Sequence, residues 1–294
     1  MWSEIFLAHL ISMVVEMVKG LKTREFRDKN YKAVFCDGNT LRLTVDPKKP
    51  ILELDYPEFY DIKITDFCEG MCKYCYQSSS KKGKHVKNLV KKFNNFFGNM
   101  TPNQRPFQVA IGGGEPTSHP EFIELLEAST KLGIMPNYTT NGSWIDRKGS
   151  NDILTATKQF CGGVAVTTHR HLEKWWVYAL MGYFSDRNIK TNLHILVSDK
   201  ASLDYFDFIF ETFKKDIKYF VVIPLVNQGR CKDSTADCKE ILKHLPVSDQ
   251  IAFSAHFYPY LKDSKFKNIS LYEPEIMSKY LDMLDMKIYK SSFY

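Results

Sequence analysis

An alternation of short, apolar, β-branched runs with longer segments of helical periodicity, between residues 58 and 229, constrains the fold more than any other feature of the sequence. The predicted strands are Asp61–Thr65, Phe107–Ile111, Met135–Thr139, Val164–Thr168, Thr191–Ser198 and Tyr219–Val226. The predicted helices are Asn88–Phe97, Pro120–Leu132, Leu172–Asp186 and Leu203–Phe213. The alternation gives six strand–helix repeats, and the helices of the third and sixth repeats are only weakly marked. Such alternation predicts parallel strands covered by helices on the outside. We therefore predict an α/β fold, a partial (β/α)6 TIM-like barrel.

Smaller elements are predicted on the amino-terminal side of this barrel, in residues 1–57. Trp2–Lys19 has a narrow polar stripe on an otherwise apolar helix, so it must bury most of its surface. It packs on this chain, forms an oligomer contact or lies on a membrane surface. Asp37-Gly38 is a strong turn signal between the strand-like runs Tyr31–Cys36 and Thr40–Val45, and it predicts a hairpin. A linker then leads into the barrel.

Residues 230–294 are predicted to form a small carboxy-terminal extension, because the regular alternation stops near Gly229. Ile251–Tyr258 is strand-like, and Tyr280–Leu284 with Lys287–Ser291 is predicted to form a hairpin around Asp285.

Composition narrows the class of protein. Hydrophobic residues make up 44% of the chain, which favours a globular core over disorder. The net charge of +6 is too small to indicate a dedicated nucleic-acid binder. The seven cysteines are odd in number, and three crowd into one short segment, which favours a reducing, cytoplasmic setting. The apolar stretch Ile5–Val18 lacks the features of a secretory signal and is too short to span a bilayer, so no transmembrane segment is predicted.

The crowded cysteines are Cys68, Cys72 and Cys75, spaced by three and then two residues directly after the first barrel strand. Thiolates are soft ligands that suit iron–sulfur clusters and zinc. Three thiolates on one loop can hold three irons of a cubane and leave the fourth iron open to an external ligand. A zinc site with His85 as its fourth ligand and cysteines without metal are the alternatives.

The spacing, together with the aromatic Tyr74 before the last cysteine and the position after the first strand, resembles the signature of the radical S-adenosylmethionine (SAM) superfamily. The resemblance covers residues 58–229. It implies a [4Fe–4S] cluster on the three cysteines, with SAM bound to the open iron and Tyr74 near its adenine.

Further motifs at later strand ends extend the resemblance. Gly112-Gly113-Gly114-Glu115-Pro116 resembles the family's glycine-rich motif beside the methionine part of SAM, where glycine lets the backbone come close to a ligand. A simple turn is the alternative there and at Asn141-Gly142. The resemblance implies SAM contacts at Gly112, Gly113, Gly114, Glu115, Asn141, Thr167, Thr168 and Leu225. The sequence leaves open which of the two threonines points inward.

Other polar residues carry two interpretations each. His169 and His171, at a strand end, could face a substrate or be exposed to solvent. His194, within a strand, could face a substrate or be packed in the core. A basic run follows the cysteines, formed by Lys81, Lys82, Lys84, His85, Lys87, Lys91 and Lys92. It is a solvated face, or a patch that attracts an acidic partner or a reductant such as flavodoxin or ferredoxin.

The sequence therefore predicts an enzyme that cleaves SAM reductively and generates a 5′-deoxyadenosyl radical for hydrogen abstraction. The substrate is not identified and could be a peptide, a nucleotide or a small molecule. The carboxy-terminal region has only Cys231 and Cys238 and no cysteine in its final hairpin, so no auxiliary cluster is expected. The alternative is a zinc-bound nucleic-acid-binding module, and no catalytic residue is assigned.

Overall fold

The computed structural model describes residues 21–169, 171–232, 236–266 and 274–292 and contains a nine-stranded, mostly parallel sheet. In chain order the strands and helices are β1 (Lys22–Phe26), β2 (Tyr31–Cys36), β3 (Asn39–Leu43), β4 (Phe59–Thr65), α1 (Leu89–Gly98), β5 (Gln108–Gly113), α2 (Phe122–Lys131), β6 (Met135–Thr140), α3 (Ser150–Phe160), β7 (Gly163–Thr168), α4 (Lys174–Ser185), β8 (Thr191–Val197), α5 (Lys200–Phe213), β9 (Phe220–Pro224), α6 (Cys238–His244), β10 (Ile251–Phe253), α7 (Tyr258–Leu261), α8 (Pro274–Met277), β11 (Ser278–Asp282) and β12 (Lys287–Tyr289). The predicted helix Trp2–Lys19 lies outside the described residues.

Strands β4 to β9 are parallel neighbours in chain order, with helices between them. This confirms the predicted α/β fold with a partial TIM-like barrel. Helix α3, weakly marked in the sequence, packs through Leu154, Ala156 and Thr157. Its propensity is poor because its segment is rich in β-branched and short polar residues, so tertiary burial stabilises it instead.

The two faces of the barrel sheet differ in polarity. Tyr60, Ile62 and Ile64 of β4 belong to the apolar core beneath the helices. Because side chains alternate along a strand, Asp61 and Lys63 point to the opposite side, here called the inner face. The same alternation on every barrel strand leaves an inner face that is rich in polar and small residues.

The amino-terminal region forms a separate antiparallel sheet in the order β1-β2-β3. Asp37 and Gly38 have φ of 46° and 80°, the positive values that a two-residue hairpin turn requires, and the predicted hairpin is confirmed. Strand β1 was not predicted, because its sequence Lys-Thr-Arg-Glu-Phe has no apolar alternation.

The carboxy-terminal residues widen the barrel sheet at both edges. Strand β10 pairs with β9, and β11 pairs in parallel with β4 while β12 forms the predicted hairpin with β11. The predicted strand Ile251–Tyr258 is wrong beyond Phe253, because the chain turns through a 3-10 segment there and buries Phe257. No helix in the described ranges has the length and apolarity needed to cross a membrane.

Candidate functional site

The predicted site segments meet at the carboxyl-terminal end of the barrel, because the carboxyl ends of parallel strands lie together. The cysteine loop follows β4, the glycine run ends β5, the Asn141 turn follows β6, and Thr167 and Thr168 end β7. Backbone hydrogen bonds join the glycine run directly to the cysteine loop and the end of β4. Gly114 N donates to Thr65 O at 2.7 Å, and Glu115 N donates to Phe67 O at 2.8 Å.

Two of the three cysteine thiols lie on either side of Gly70. A Cβ added to this glycine would lie 3.4 Å from Cys68 Sγ and 3.6 Å from Cys72 Sγ. Burial raises the pKa of both thiols, and the negative charge of Cys75 raises them further. The three sulfur atoms therefore lie close together, on a loop where a Cβ at position 70 would be in contact with two of them.

The donor chemistry fits an iron–sulfur cluster. Three thiols without a carboxylate or imidazole are the ligand set that a cluster prefers, and in a cubane each thiolate binds a different iron. Among the described residues no three His, Cys, Asp or Glu side chains are arranged to hold a single metal ion. His85, the candidate fourth zinc ligand, lies against Thr65, with 2.9 Å between Nδ1 and Oγ1.

Arg230, which sequence analysis did not assign, fastens the cysteine loop from the opposite side of the barrel. Its Nε donates to Cys72 O at 2.8 Å, its guanidinium also donates to Ser79 O, and its backbone N–H donates to Cys75 O at 3.0 Å. Gly229 has φ of 63° and packs so tightly that a Cβ would overlap the Tyr76 carbonyl oxygen. No local sequence signal reveals this contact, because it joins segments far apart in the chain.

The three glycines of the glycine run have different environments. A Cβ at Gly112 would meet nothing within 4 Å, so this residue borders open space. A Cβ at Gly113, which has φ of 117°, would overlap Thr65 O, and one at Gly114 would overlap Phe67 O. Gly113 and Gly114 therefore let β5 approach the cysteine loop, whereas the Cβ direction of Gly112 faces open space.

Glu115 is buried and accepts hydrogen bonds from its neighbours on two loops. Its Oε1 accepts from Thr117 Oγ1 at 2.7 Å and Thr140 Oγ1 at 2.8 Å, and its Oε2 accepts from Asn141 N at 2.9 Å. Burial raises the pKa of this carboxyl, and the hydrogen bonds oppose that rise. The side chain predicted to contact SAM thus also joins the β5 and β6 strand ends.

Asn141 connects the β6 end to the cysteine loop. Its Nδ2 lies 3.6 Å from Cys68 Sγ, and its Oδ1 accepts from Ser143 N at 2.8 Å. The chain also turns at Asn141-Gly142, with φ of 76° at Gly142, which leaves the expected SAM contact of Asn141 a prediction.

The two threonines of β7 point to opposite faces. Thr168 is fully buried and its hydroxyl is hydrogen-bonded to the Tyr205 hydroxyl on α5, so its side chain turns away from the inner face. This corrects the expected contact at Thr168, since alternation places Thr167 on the inner face instead. Val164 and Val166 carried the signal, because they define the buried face of the strand.

Beyond β7, His169 lies against Tyr74, with 2.6 Å between the Tyr74 hydroxyl and Nδ1 and 4.8 Å between ring centroids. Burial lowers the pKa of His169 to about 4, so its ring is neutral at physiological pH. At the end of β9, Leu225 donates its N–H to Val197 O at 2.8 Å and accepts from Ala236 N at 2.9 Å.

Two titratable side chains on the inner face have no hydrogen bond or ion pair among the described residues. Burial raises the pKa of Asp61 to about 6 and lowers the pKa of His194 to about 4. Sequence analysis did not assign Asp61, although its position between the buried residues Tyr60 and Ile62 was a usable signal. Lys63, two residues on, is neutralised by Asp66 and Asp282 at 2.7 and 3.1 Å.

Comparison with known proteins finds a family profile that matches part of the chain and solved structures with a similar fold. A family profile described as the Radical SAM superfamily matches residues 62–161. The mycofactocin maturase MftC of Mycobacterium tuberculosis (strain CDC 1551 / Oshkosh) is 30% identical over 95 residues, which are 30% of this chain. The match spans only 22% of the length of that relative.

Solved structures with a similar fold cover more of the chain. Streptococcus suis SuiB bound to S-adenosylmethionine superposes with a TM-score of 0.69 at 12% identity, covering 94% of this chain and 82% of SuiB. The protein anSMEcpe with bound AdoMet and the Cp18Cys peptide superposes with a TM-score of 0.58 at 17% identity, covering 81% and 75%. At these identities the likeness establishes the fold alone.

Proposed function

Residues 62–161 belong to the radical SAM superfamily of enzymes, and from this we propose that the protein binds a [4Fe–4S] cluster on Cys68, Cys72 and Cys75 and cleaves SAM reductively. The observation that best supports this proposal is the set of three neighbouring thiols on the loop that follows β4, next to the open space at Gly112. When bound, the cluster supplies the electron that breaks the sulfur–C5′ bond of SAM, leaving methionine and a 5′-deoxyadenosyl radical that abstracts hydrogen from the substrate.

The residues around the cysteines fix the ligands and shape the space for SAM. Arg230 and Gly229 hold the cysteine loop against the end of β9. Gly112 leaves room at the β5 end, where the methionine part of SAM is proposed to bind. Tyr74, held by His169, offers an aromatic ring for the adenine, and Thr167 offers a hydroxyl on the inner face.

The substrate is proposed to enter the space along the inner face. Asp61 and His194 are candidate contacts there, because an unpaired buried carboxylate or imidazole gains from a polar ligand. A peptide is the substrate class we favour, since similar folds include SuiB bound to its precursor peptide SuiA and anSMEcpe bound to a peptide. A cytoplasmic location and reduction by flavodoxin or ferredoxin complete the proposal.

Anaerobic reconstitution with iron and sulfide, followed by EPR of the reduced protein with and without SAM, tests the proposal. We expect one [4Fe–4S] signal that SAM changes, and loss of that signal in Cys68→Ala, Cys72→Ala and Cys75→Ala. Cys36→Ala and Cys238→Ala are matched controls, because these thiols lie outside the cysteine loop. Stoichiometric zinc without an iron–sulfur signal would overturn the proposal.

The substrate class is tested separately by 5′-deoxyadenosine release. Reduced protein is incubated with SAM and with peptide, nucleotide or small-metabolite fractions of a cell extract. Release stimulated by the peptide fraction supports the class we favour, and stimulation by another fraction alone contradicts it.

A further inference from the structure

The three cysteine sulfur atoms differ in their hydrogen-bond surroundings. Cys68 Sγ accepts from Gly70 N at 3.4 Å and from Asn141 Nδ2 at 3.6 Å. Cys72 Sγ instead lies 3.7 Å from the Gly70 carbonyl oxygen, to which a thiol can only donate. Among the hydrogen bonds of the described residues, Cys68 is therefore the cysteine whose sulfur receives two N–H donors.

Neighbouring groups determine the orientation of the Asn141 amide. Ser143 N–H faces the side-chain oxygen at 2.8 Å, so the NH2 group must face Cys68. The Asn141 backbone N–H is bound by Glu115 Oε2 at 2.9 Å, and Thr140 is bound by the same carboxylate. The donor is thus held in place by a buried network, which is how a hydrogen bond keeps its strength.

The position of Gly70 keeps this contact close. A Cβ at residue 70 would lie 3.3 Å from Asn141 Nδ2 as well as 3.4 Å from Cys68 Sγ. A larger residue at this position would crowd the Asn141 amide. Asn141 and Cys68 come from the ends of β6 and β4, two strands separated by β5 in the sheet, so their contact crosses the end of β5.

We propose that Asn141 is a positioning residue that raises the reduction potential of the cluster through its N–H···S bond to Cys68. The inference rests on the proposed function, since it needs a cluster on that cysteine. Reduction adds one electron, and part of the added charge falls on the cysteine sulfur atoms. An N–H donor stabilises that charge, and hydrogen bonds to the sulfurs are a recognised determinant of cluster potentials.

Two variants separate loss of the donor from gain of charge. Asn141→Ser keeps a small oxygen near Ser143 N but cannot reach the sulfur. Asn141→Asp keeps an oxygen for Ser143 N and turns another oxygen towards Cys68. Asn137→Asp is the matched control, because Asn137 lies on the same strand and donates to Gln108 Oε1 at 3.0 Å.

The measurement is an EPR-monitored redox titration of each reconstituted protein, with SAM affinity measured by calorimetry. We expect the midpoint potential to fall in the order wild type, Asn141→Ser, Asn141→Asp. Asn141→Asp should lower the equilibrium constant for reduction of the cluster about tenfold or more, which lowers the midpoint potential by about 59 mV or more for one electron. Asn137→Asp should change the potential less than Asn141→Asp.

The outcomes separate this inference from the proposed function. A wild-type protein without an iron–sulfur signal overturns the proposed function and the inference with it. Cluster-loaded Asn141 variants that keep the wild-type potential, whether or not SAM binding weakens, overturn the inference alone. If Asn141→Asp does not retain a cluster, the neutral Asn141→Ser variant gives the deciding potential.

Discussion

The two halves of the barrel mouth are built differently. At the ends of β4, β5 and β6 the polar groups are bonded to one another, with Glu115 joining Thr140 and Asn141, and Asn141 reaching Cys68. At the ends of β7 to β9, Thr168 turns outward to Tyr205, while Thr167 and His194 lie on the inner face.

The difference indicates a division of labour within one sheet. A network whose members satisfy each other holds fixed positions, which suits the binding of a cofactor. His194 on β8, and Asp61 within β4 away from the strand end, have no hydrogen bond or ion pair among the described residues, and they are the groups proposed to meet a substrate. Arg230 and the Tyr74–His169 pair connect the two halves, so the second half still contributes to holding the cysteine loop.

The largest expected effect is on the fixed half. Gly114→Ala places a methyl group on the Phe67 carbonyl oxygen, where the backbone cannot yield without breaking its own hydrogen bonds. We expect a loss of about 4 kcal/mol or more in the free energy of unfolding, measured by urea denaturation. Gly112→Ala is the matched control, because its methyl group meets open space. A stable Gly114→Ala protein would contradict the close approach of the two loops.

Glu115→Ala tests the network directly. It leaves the Asn141 N–H and the Thr117 and Thr140 hydroxyls without their acceptor, so we expect a loss of roughly 3 kcal/mol in unfolding free energy. Thr168→Val on the other half removes one hydroxyl pair and should cost about 1 kcal/mol. Equal losses in the two variants would remove the contrast between the halves.

Asp61→Asn tests the unpaired groups of the inner face. The folded-state pKa of about 6 exceeds the ordinary aspartate pKa of 3.8, so the folded protein is favoured when this carboxyl is protonated. That stability is present below pH 4 and is lost as pH rises through 6. We expect the variant to be more stable than wild type by on the order of 2 kcal/mol at pH 8 and equal to it at pH 3.5.

Chemical denaturation at a series of pH values measures this difference. Asp263→Asn, at an exposed position, is the matched control. If the difference in the free energy of unfolding between wild type and Asp61→Asn is the same at every pH, the raised pKa of Asp61 is contradicted.

The smallest effect is expected at the surface, in the rate of reduction. Lys81, Lys82 and Lys84 are exposed near the cysteine loop, and their replacement by Glu should slow reduction by flavodoxin severalfold at low salt and little at high salt. Lys131→Glu, Lys158→Glu and Lys215→Glu together are the control. Each of these lysines lies in or just after the last turn of a helix that runs back along the barrel. They therefore lie at the opposite end of the barrel from the cysteines. Equal rates in both triple variants would make the basic run a solvated face.

Strand alternation was enough to predict the barrel because its buried positions repeat locally. Val164 and Val166, or Leu193 and Ile195, carry that signal in neighbouring residues. The cysteine spacing and the glycine run were visible for the same reason. Polar β1 was not, because its stability comes from pairing with β2 rather than from its own pattern.

The parts of the site that the sequence did not reveal are contacts between distant segments. Arg230 binds the Cys72 carbonyl, and Asn141 approaches Cys68, through positions that only the folded sheet brings together. The close packing of Gly113 and Gly114 on the cysteine loop was likewise not visible in the sequence, because it depends on where the folded sheet places Thr65 and Phe67.

The pairing of β11 with β4 has a consequence for how the protein is made. The first barrel strand carries Lys63, whose partner Asp282 lies near the end of the described chain. During synthesis β4 and the cysteine loop leave the ribosome long before β11 exists to cover their edge. The contact is therefore among the most non-local in the molecule, and such contacts form late and slowly. Until it forms, the exposed edge of β4 lies beside the loop that is proposed to receive iron. A cluster inserted after β11 has paired with β4 would therefore meet a better protected site than one inserted before.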